Sequence, residues 1–229
     1  MLDFADPPQL VTEIVFTGGS CAGKTSALGL VSRSLREKGH AVLTCPEAVT
    51  LLVTAGIPKF GDISRNDLQR ACLFQHEVYA VQRQLRETMR ALAGMFMAPQ
   101  VVILYDRGEL DATAYHPHDC LHEYAAADGL TLPQIRDTYT AVMHLVTAAD
   151  GAVEAYSANT NPARWDTPDE ACRFDQKILT AWEGHPRHHV IDNSTDFIGK
   201  MEKLVEATLK VINEQAAPTA LRIETSATA

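Results

Sequence analysis

The segment from Gly18 to Thr25 carries the pattern most suited to chemistry in this chain. It reads Gly-Gly-Ser-Cys-Ala-Gly-Lys-Thr, which satisfies the spacing G-x-x-x-x-G-K-[ST]. The glycines let backbone N–H groups point at a polyphosphate, Lys24 can reach its β and γ oxygens, and the Thr25 hydroxyl can bind Mg²⁺. An apolar run precedes the segment and a helix-forming stretch follows it, as a phosphate-binding loop requires. We therefore expect Mg²⁺ and ATP or GTP to bind at Gly18, Gly19, Ser20, Cys21, Ala22, Gly23, Lys24, Thr25 and Ser26.

A second candidate group follows an apolar run at residues 101–105. Asp106 stands where the carboxyl end of a buried strand would lie, and a carboxylate there, beside a phosphate loop, suits a Mg²⁺ ligand. Motor and remodelling ATPases usually have a glutamate next, which orients the attacking water, whereas this chain has Arg107. An arginine can bind a phosphoryl oxygen, so the pair favours phosphate transfer to an acceptor over hydrolysis. The sequence has no Asn-Lys-x-Asp motif for reading guanine, which argues against a switch GTPase.

A transfer reaction needs a carboxylate that accepts or orients the acceptor hydroxyl, at a strand end across the cleft from Lys24. Glu47 follows the second apolar run, in the sequence Thr-Cys-Pro-Glu, and is our candidate. A glutamate in the first turn of a helix that begins with proline would equally be ordinary helix-start chemistry. Both interpretations of Glu47 stay open at this stage.

Further residues are candidates for binding the acceptor. Gln75 and Gln82 are seven apart on a predicted helix, beside Phe74, so amides and an aromatic ring could read a base; a solvated helix face is the alternative. Asp111 and Tyr115 lie shortly after Arg107 and are expected in the same pocket. The histidines at 116, 118 and 122, with Asp119 and Cys120, lack a structural zinc spacing and are better explained as a pocket loop.

Two segments are candidates for contacts with the nucleotide from outside the loop. Arg164, together with Asn159, Asn161 and Arg173, could form a lid that closes over the phosphates; plain surface charge is the alternative. Asp192 and Asn193 follow the last apolar run and are expected to line the base pocket, although helix capping would explain the next two residues.

Short apolar runs alternate with helical patterns along the chain. This rhythm predicts a three-layer α/β fold, a mainly parallel five-stranded sheet flanked by helices, of the P-loop NTPase and nucleoside-kinase type. We expect a single domain over residues 1–215 and a flexible tail over 216–229. The predicted strands are 13–17, 41–44, 101–105, 142–147 and 189–191, and the predicted helices are 24–38, 47–55, 67–93, 132–139, 168–182 and 196–212.

The composition of the chain indicates which partners and which cellular compartment to expect. The formal net charge of −9 argues against a nucleic-acid partner or a polybasic membrane patch. Five cysteines without a C-x-x-C spacing indicate reduced thiols and a cytoplasmic protein. The first ten residues lack a signal-peptide pattern, and no apolar run reaches the length of a membrane span.

In combination, these motifs resemble the AAA-type P-loop domain shared by the NadR ribosylnicotinamide kinases and the eukaryotic TRPL-translocation-defect proteins. The resemblance covers about residues 11–212 and includes the loop, Pro46–Glu47, Phe74–Gln75, Asp106–Arg107–Gly108, His144–Leu145 and Ile191–Asp192–Asn193. It implies a kinase-like P-loop fold, ATP or GTP with Mg²⁺, and a nucleoside-like acceptor. The pairing of a post-strand glutamate with Asp-Arg is also similar to deoxynucleoside kinases, which supports Glu47 on the acceptor side.

The sequence therefore favours a Mg²⁺-dependent phosphotransferase that moves the γ-phosphoryl group to a hydroxyl of a small nucleoside-like metabolite. Lys24, Thr25, Asp106 and Arg107 would stabilise the transferred group, Glu47 would accept or orient the hydroxyl, and Arg164 would close the lid. Two alternatives stay open: a nucleotide-gated binding module with a protein or lipid partner, and a slow ATPase. The resemblance permits either, because a fold alone does not establish catalysis.

Overall fold

The structure is a computed structural model that describes residues 9–64, 67–116, 121–152, 154, 156 and 166–226, with residue 64 and residues 217–226 described by backbone only. Strands and helices alternate along these ranges. The strands are β1 Leu10–Thr17, β2 Ala41–Cys45, β3 Gln100–Asp106, β4 Ala141–Leu145 and β5 His188–Ile191. The helices are α1 Lys24–Glu37, α2 Ala48–Thr54, α3 Phe60–Ser64, α4 Leu68–Ala93, α5 Asp111–Tyr115, α6 Leu121–Ala127, α7 Leu132–Arg136, α8 Pro168–Ala181 and α9 Phe197–Ser226.

The five strands form one sheet in the order β2, β3, β1, β4, β5, and all neighbours in it are parallel. In this register Phe16 of β1 lies opposite Asp106 of β3, and Thr17 of β1 lies opposite His144 of β4. The carboxyl ends of the three central strands therefore meet at one edge of the sheet. In open α/β sheets, ligands bind at that edge.

Helices cover both faces of the sheet. Ile14 and Phe16 pack into a core beneath α1 and α9, whereas Val15 packs into a second core beneath α4 and α8. Because both faces are covered, the central strands β1, β3 and β4 are buried almost throughout and lack the alternating pattern of half-exposed strands. The predicted three-layer α/β fold of the P-loop NTPase type is confirmed.

The short elements differ most from the sequence prediction. The helices α3, α5 and α6 were missed, because five to seven residues are too few to show a helical period. Helix α7 ends at Arg136 instead of Tyr139, whose ring packs edge-on against Trp182 with the centroids 5.5 Å apart. Strand β4 ends at Leu145, two residues before the predicted end.

The carboxyl-terminal helix was predicted too short. The pattern favoured an end at Ile212, whereas α9 continues to Ser226. The division of the chain into a domain of residues 1–215 and a tail of 216–229 stays a prediction. None of the helices in the described ranges has both the length and the apolar character needed to cross a membrane.

Candidate functional site

The phosphate-binding loop joins β1 to α1 and has a strained left-handed backbone that glycine relieves. Gly18 has a φ of +127° and Gly23 a φ of +90°, a region that side chains with a Cβ rarely enter. Gly18 also lies against the backbone of β4: an added Cβ would come 1.9 Å from the carbonyl oxygen of Leu145. Both glycines are therefore required by geometry, and the motif has its expected place between strand and helix.

Lys24 lies at the start of α1 and is buried within the loop. Its Nζ donates hydrogen bonds to the carbonyl oxygens of Gly18, at 2.9 Å, and Gly19, at 2.7 Å. Burial, together with the nearby positive charge of Arg107, lowers the pKa of Lys24 to about 8 although Asp106 opposes the shift. A triphosphate would offer this ammonium group a stronger partner than two carbonyls do.

Asp106 and Thr25 lie where the sequence predicts Mg²⁺ ligands, and the donor set fits that ion. Both residues line the cavity beside the loop. Asp106 Oδ1 is buried and has no hydrogen-bond partner among the described residues. Burial, followed by the negative charge of Glu47, raises the pKa of Asp106 to about 6. A carboxylate oxygen that the described residues leave without a partner, in a cavity that a hydroxyl also lines, suits a hard cation with oxygen ligands.

Arg107 connects the phosphate loop to Glu47. Its backbone has a φ of +72°, uncommon outside glycine, and its N–H donates to the carbonyl oxygen of Phe16 at 3.0 Å. The guanidinium Nε donates to Glu47 Oε1 at 2.5 Å, and Nη1 donates to the carbonyl oxygen of Gly18 at 3.2 Å. Burial favours neutral Glu47, but Arg107 and the Thr50 hydroxyl outweigh it and hold the pKa of Glu47 below its usual range. The carboxylate is therefore ionised and fixed in direction.

Asp111 organises the surroundings of Arg107 and does so with both oxygens. Oδ2 accepts from the Thr17 hydroxyl at 2.6 Å and from Arg107 Nη1 at 3.3 Å, and Oδ1 accepts from Trp182 Nε1 at 2.7 Å. Trp182 can come this close because Gly108 has no Cβ. A Cβ at that position would lie 2.5 Å from the Trp182 ring. Asp111 lines the cavity as expected, but its oxygens are engaged by the protein.

Aromatic rings form one wall of the cavity. Phe60 stacks on Phe74 with centroids 5.7 Å apart and meets Tyr115 edge-on at 6.4 Å. Tyr115 stacks in turn on Phe174 at 4.7 Å and lies under the Arg107 guanidinium, 5.6 Å from the ring centroid. Phe60, Phe74 and Tyr115 all line the cavity, which also contains Lys24 and Glu47. A flat apolar group placed there would lie next to the phosphate loop.

The two glutamines of α4 have different roles. Both are buried, so the alternative of a solvated helix face is wrong. Gln82 Oε1 accepts from the N–H of Ala48 at 3.2 Å, and its Nε2 donates to the carbonyl oxygen of Arg107 at 3.1 Å. Gln82 therefore ties α2 and the loop after β3 to α4, whereas Gln75 lines the cavity and makes no hydrogen bond with the other described residues.

Three residues outside the predicted site residues support the loop from behind. The N–H of Gly19 donates to Asp175 Oδ1 at 2.5 Å, and the Thr147 hydroxyl donates to the carbonyl oxygen of Ser20. His144 Nε2 lies 3.2 Å from the same Asp175 oxygen. Burial opposes ionisation of Asp175, but His144 and the backbone donors hold its pKa below the usual range. Asp175 is 156 residues from Gly19, so no local sequence signal could have revealed the pair.

Asp192 and Asn193 lie away from the cavity, and their side chains contact the protein. Asn193 Nδ2 donates to the carbonyl oxygens of Thr147, at 2.8 Å, and Asp150, at 2.5 Å, while its Oδ1 accepts from Lys200. Asp192 accepts hydrogen bonds from Ser194 and Lys203 at the surface. These contacts give both side chains a structural role, and their backbone contribution to a base pocket stays a prediction.

The predicted lid falls mostly outside the described residues. Arg164, Asn159 and Asn161 lie there, as do residues 117–120 of the histidine-rich loop. Arg173 is described: it lies exposed on α8, 3.9 Å from Glu170, and does not line the cavity. The surface-charge interpretation fits Arg173.

A search of curated proteins found no match. A family model described as an AAA domain, AAA_28, matches residues 13–199, which include the phosphate loop, Glu47, Asp106 and Arg107. Such a domain implies nucleotide binding, typically with Mg²⁺, and NTPase-like activity. The chain belongs to this AAA_28 family of P-loop NTPase-type AAA domains.

Proposed function

We propose that the chain is a Mg²⁺-dependent phosphotransferase that moves the γ-phosphoryl group of ATP or GTP to a hydroxyl of a nucleoside-like acceptor. The observation that carries the proposal is the ion pair between Arg107 Nε and Glu47 Oε1, 2.5 Å apart. The pair lies between the phosphate loop and the aromatic wall, and it lines the cavity that both share. A carboxylate held there would accept a hydrogen bond from an acceptor hydroxyl placed next to the terminal phosphate.

Glu47 would position the hydroxyl more than remove its proton. Its pKa lies below the usual range, which makes the carboxylate a weak base but a permanent hydrogen-bond acceptor. Phosphoryl transfer passes through a loose transition state in most analyses, so the hydroxyl proton leaves late and a strong base is unnecessary. Arg107 and Lys24 would bind the equatorial oxygens of the transferred group.

Thr25 and Asp106 would hold Mg²⁺, which neutralises charge on the β and γ oxygens when bound. Arg164 as a lid residue and the backbone at Asp192 and Asn193 as a base contact belong to the same proposal. The resemblance to the NadR ribosylnicotinamide kinases supports this assignment at the level of reaction class.

The acceptor class follows from the far side of the cavity. Phe74 and Tyr115 form an aromatic lining there, and Gln75 offers an amide that is not engaged by the described residues. An aromatic heterocycle that carries both a donor and an acceptor edge would match this set. A nucleoside has such a ring on one side and hydroxyls on the other.

The test is product analysis by mass spectrometry after incubating the protein with Mg²⁺, ATP or GTP, and a panel of nucleosides and related metabolites. Phosphorylation of one acceptor is expected, and Glu47→Gln should lower kcat about 10–100-fold, the loss of one hydrogen bond to a charged group, while the Kd for the nucleotide changes little. Glutamine retains a hydrogen bond to Arg107, so the fold is preserved.

Glu37→Gln on the exposed end of α1 is the matched control, with the same change of charge. It should leave kcat unchanged. Phosphate release without a consumed acceptor, equal in both variants, would show a slow NTPase and contradict the proposal. A nucleotide that changes only the affinity for a protein partner or a vesicle would instead support the binding module.

A further inference from the structure

Asp166 is a buried carboxylate with one oxygen that no described residue pairs with. It precedes α8, is only 6% exposed, and lines the same cavity as Lys24, Glu47 and Arg107. Its Oδ2 is fully buried and has no hydrogen-bond partner among the described residues. Its backbone is fixed, because the Tyr156 hydroxyl donates to its carbonyl oxygen at 2.8 Å.

Arg107 and Lys24, the cations among the described residues that line the cavity, donate to other groups. Arg107 donates to Glu47, Asp111 and the loop carbonyl of Gly18, and Lys24 donates to loop carbonyls. Removing a carboxylate from water without a donor is strongly unfavourable, and native structures rarely retain such a group without a use. A partner that enters the cavity from outside would relieve this cost.

We propose that Asp166 binds the acceptor at a point away from the reacting hydroxyl. Its carboxylate accepts a hydrogen bond from an N–H or O–H group of the acceptor, or pairs with a positive charge on it. The inference rests on the proposed function and deepens it. Gln75 is 2% exposed and lines the same cavity from α4, with an amide that none of the described residues engages. Asp166 therefore favours an acceptor molecule with a hydrogen-bond donor at that point. Gln75 favours one whose ring edge has both a donor and an acceptor group.

This pair of side chains restricts the acceptor class. A nucleoside with an amino group or a cationic ring satisfies Asp166, and its sugar hydroxyls remain free for Glu47. An acceptor with a carboxylate or phosphate on the Asp166 side is rejected, because two like charges would share a buried site. The inferred substrate class is therefore a donor-rich nucleoside without an acidic group.

The test is isothermal titration with a panel of nucleosides, in the presence of Mg²⁺ and a non-hydrolysable ATP analogue. The panel contains cytidine, uridine, adenosine, inosine, their 2′-deoxy forms and the cationic 1-methyladenosine. We expect the wild type to bind at least one donor-rich nucleoside, which means one with an amino group or a cationic ring: cytidine, adenosine, their 2′-deoxy forms or 1-methyladenosine. Asp166→Asn should raise the Kd of that nucleoside tenfold or more while the Kd for the ATP analogue is unchanged. Asp169→Asn, three residues later and exposed, is the control with the same change of charge.

The inference is overturned if Asp166→Asn leaves the Kd of every bound nucleoside unchanged, or if no donor-rich member binds. Asp166→Glu keeps the charge and separates a folding defect from a binding defect: it should preserve the order of preference among nucleosides. These readouts are equilibrium binding constants, so they stay distinct from the kinase test. Binding that depends on Asp166 without product formation would contradict the proposed reaction and leave the acceptor site standing.

Discussion

Asp175 of α8 accepts a hydrogen bond from the backbone N–H of Gly19, with Oδ1 and nitrogen 2.5 Å apart. The amide is thereby engaged by the protein, which leaves the later amides of the loop to face a phosphate. Thr147 holds the neighbouring carbonyl of Ser20 in the same way. The first half of the loop is therefore supported from behind before any nucleotide arrives.

Replacing Asp175 should loosen this half of the loop. Asp175→Ala leaves the buried Gly19 N–H unsatisfied, which costs about 1–3 kcal/mol in the free energy of unfolding. We expect a nucleotide Kd raised about tenfold in a titration with a fluorescent nucleotide, and a smaller rise for Asp175→Asn, whose oxygen still accepts. An unchanged Kd for the alanine variant would show that the hydrogen bond does not shape the loop.

Glycine at position 18 should be irreplaceable, whereas glycine at position 29 should not. An alanine Cβ at Gly18 meets the Leu145 backbone at 1.9 Å in a φ of +127°, so we expect a loss of about 2–4 kcal/mol and no nucleotide binding. Gly29 on α1 has no neighbouring atom within 4 Å of such a Cβ. Gly29→Ala should gain about 0.5–1 kcal/mol in thermal or urea unfolding. Equal stability of Gly18→Ala and Gly29→Ala would contradict the conclusion that the backbone at position 18 requires glycine.

Nucleotide affinity should fall at high pH because of Lys24. Its pKa in the free protein is about 8 instead of the ordinary 10.5, and only the protonated form attracts a triphosphate. The affinity should fall about twofold between pH 7 and pH 8 and more steeply above pH 8, by up to about tenfold per pH unit. Titrations from pH 7 to pH 9.5 test this, and Lys24→Arg, which stays charged, should show no such decline.

The Mg²⁺ concentration needed for nucleotide binding should rise at low pH because of Asp106. Its pKa of about 6 means that protons compete with the cation below pH 6, since Mg²⁺ binds the ionised carboxylate. The Mg²⁺ concentration for half-maximal nucleotide binding should rise as the pH falls from 6 to 5. In Asp106→Asn it should be high and nearly independent of pH, and in Asp169→Asn it should match the wild type. A wild-type curve that is flat through pH 6 would exclude Asp106 as a ligand.

The sequence by itself determined the features that depend on neighbouring residues. The loop from Gly18 to Thr25 combines glycine backbone freedom with a lysine and a hydroxyl at one spacing, and that chemistry is local. The apolar runs predicted the five strands and their parallel pairing, because strands buried on both faces leave that pattern. The positions of Glu47 and Asp106 at strand ends followed from the same reasoning.

Only the tertiary structure decided which distant side chains meet. Arg107 and Glu47 are 60 residues apart, and Gly19 and Asp175 are 156 apart, so packing of the sheet and α8 brings them together. The distinction between Gln75 and Gln82 has the same origin: one amide meets backbone groups of Ala48 and Arg107, and the other meets a cavity. Residue types and local spacing encode the phosphate loop, whereas hydrogen-bond partners across the fold depend on three-dimensional contacts that no local pattern records.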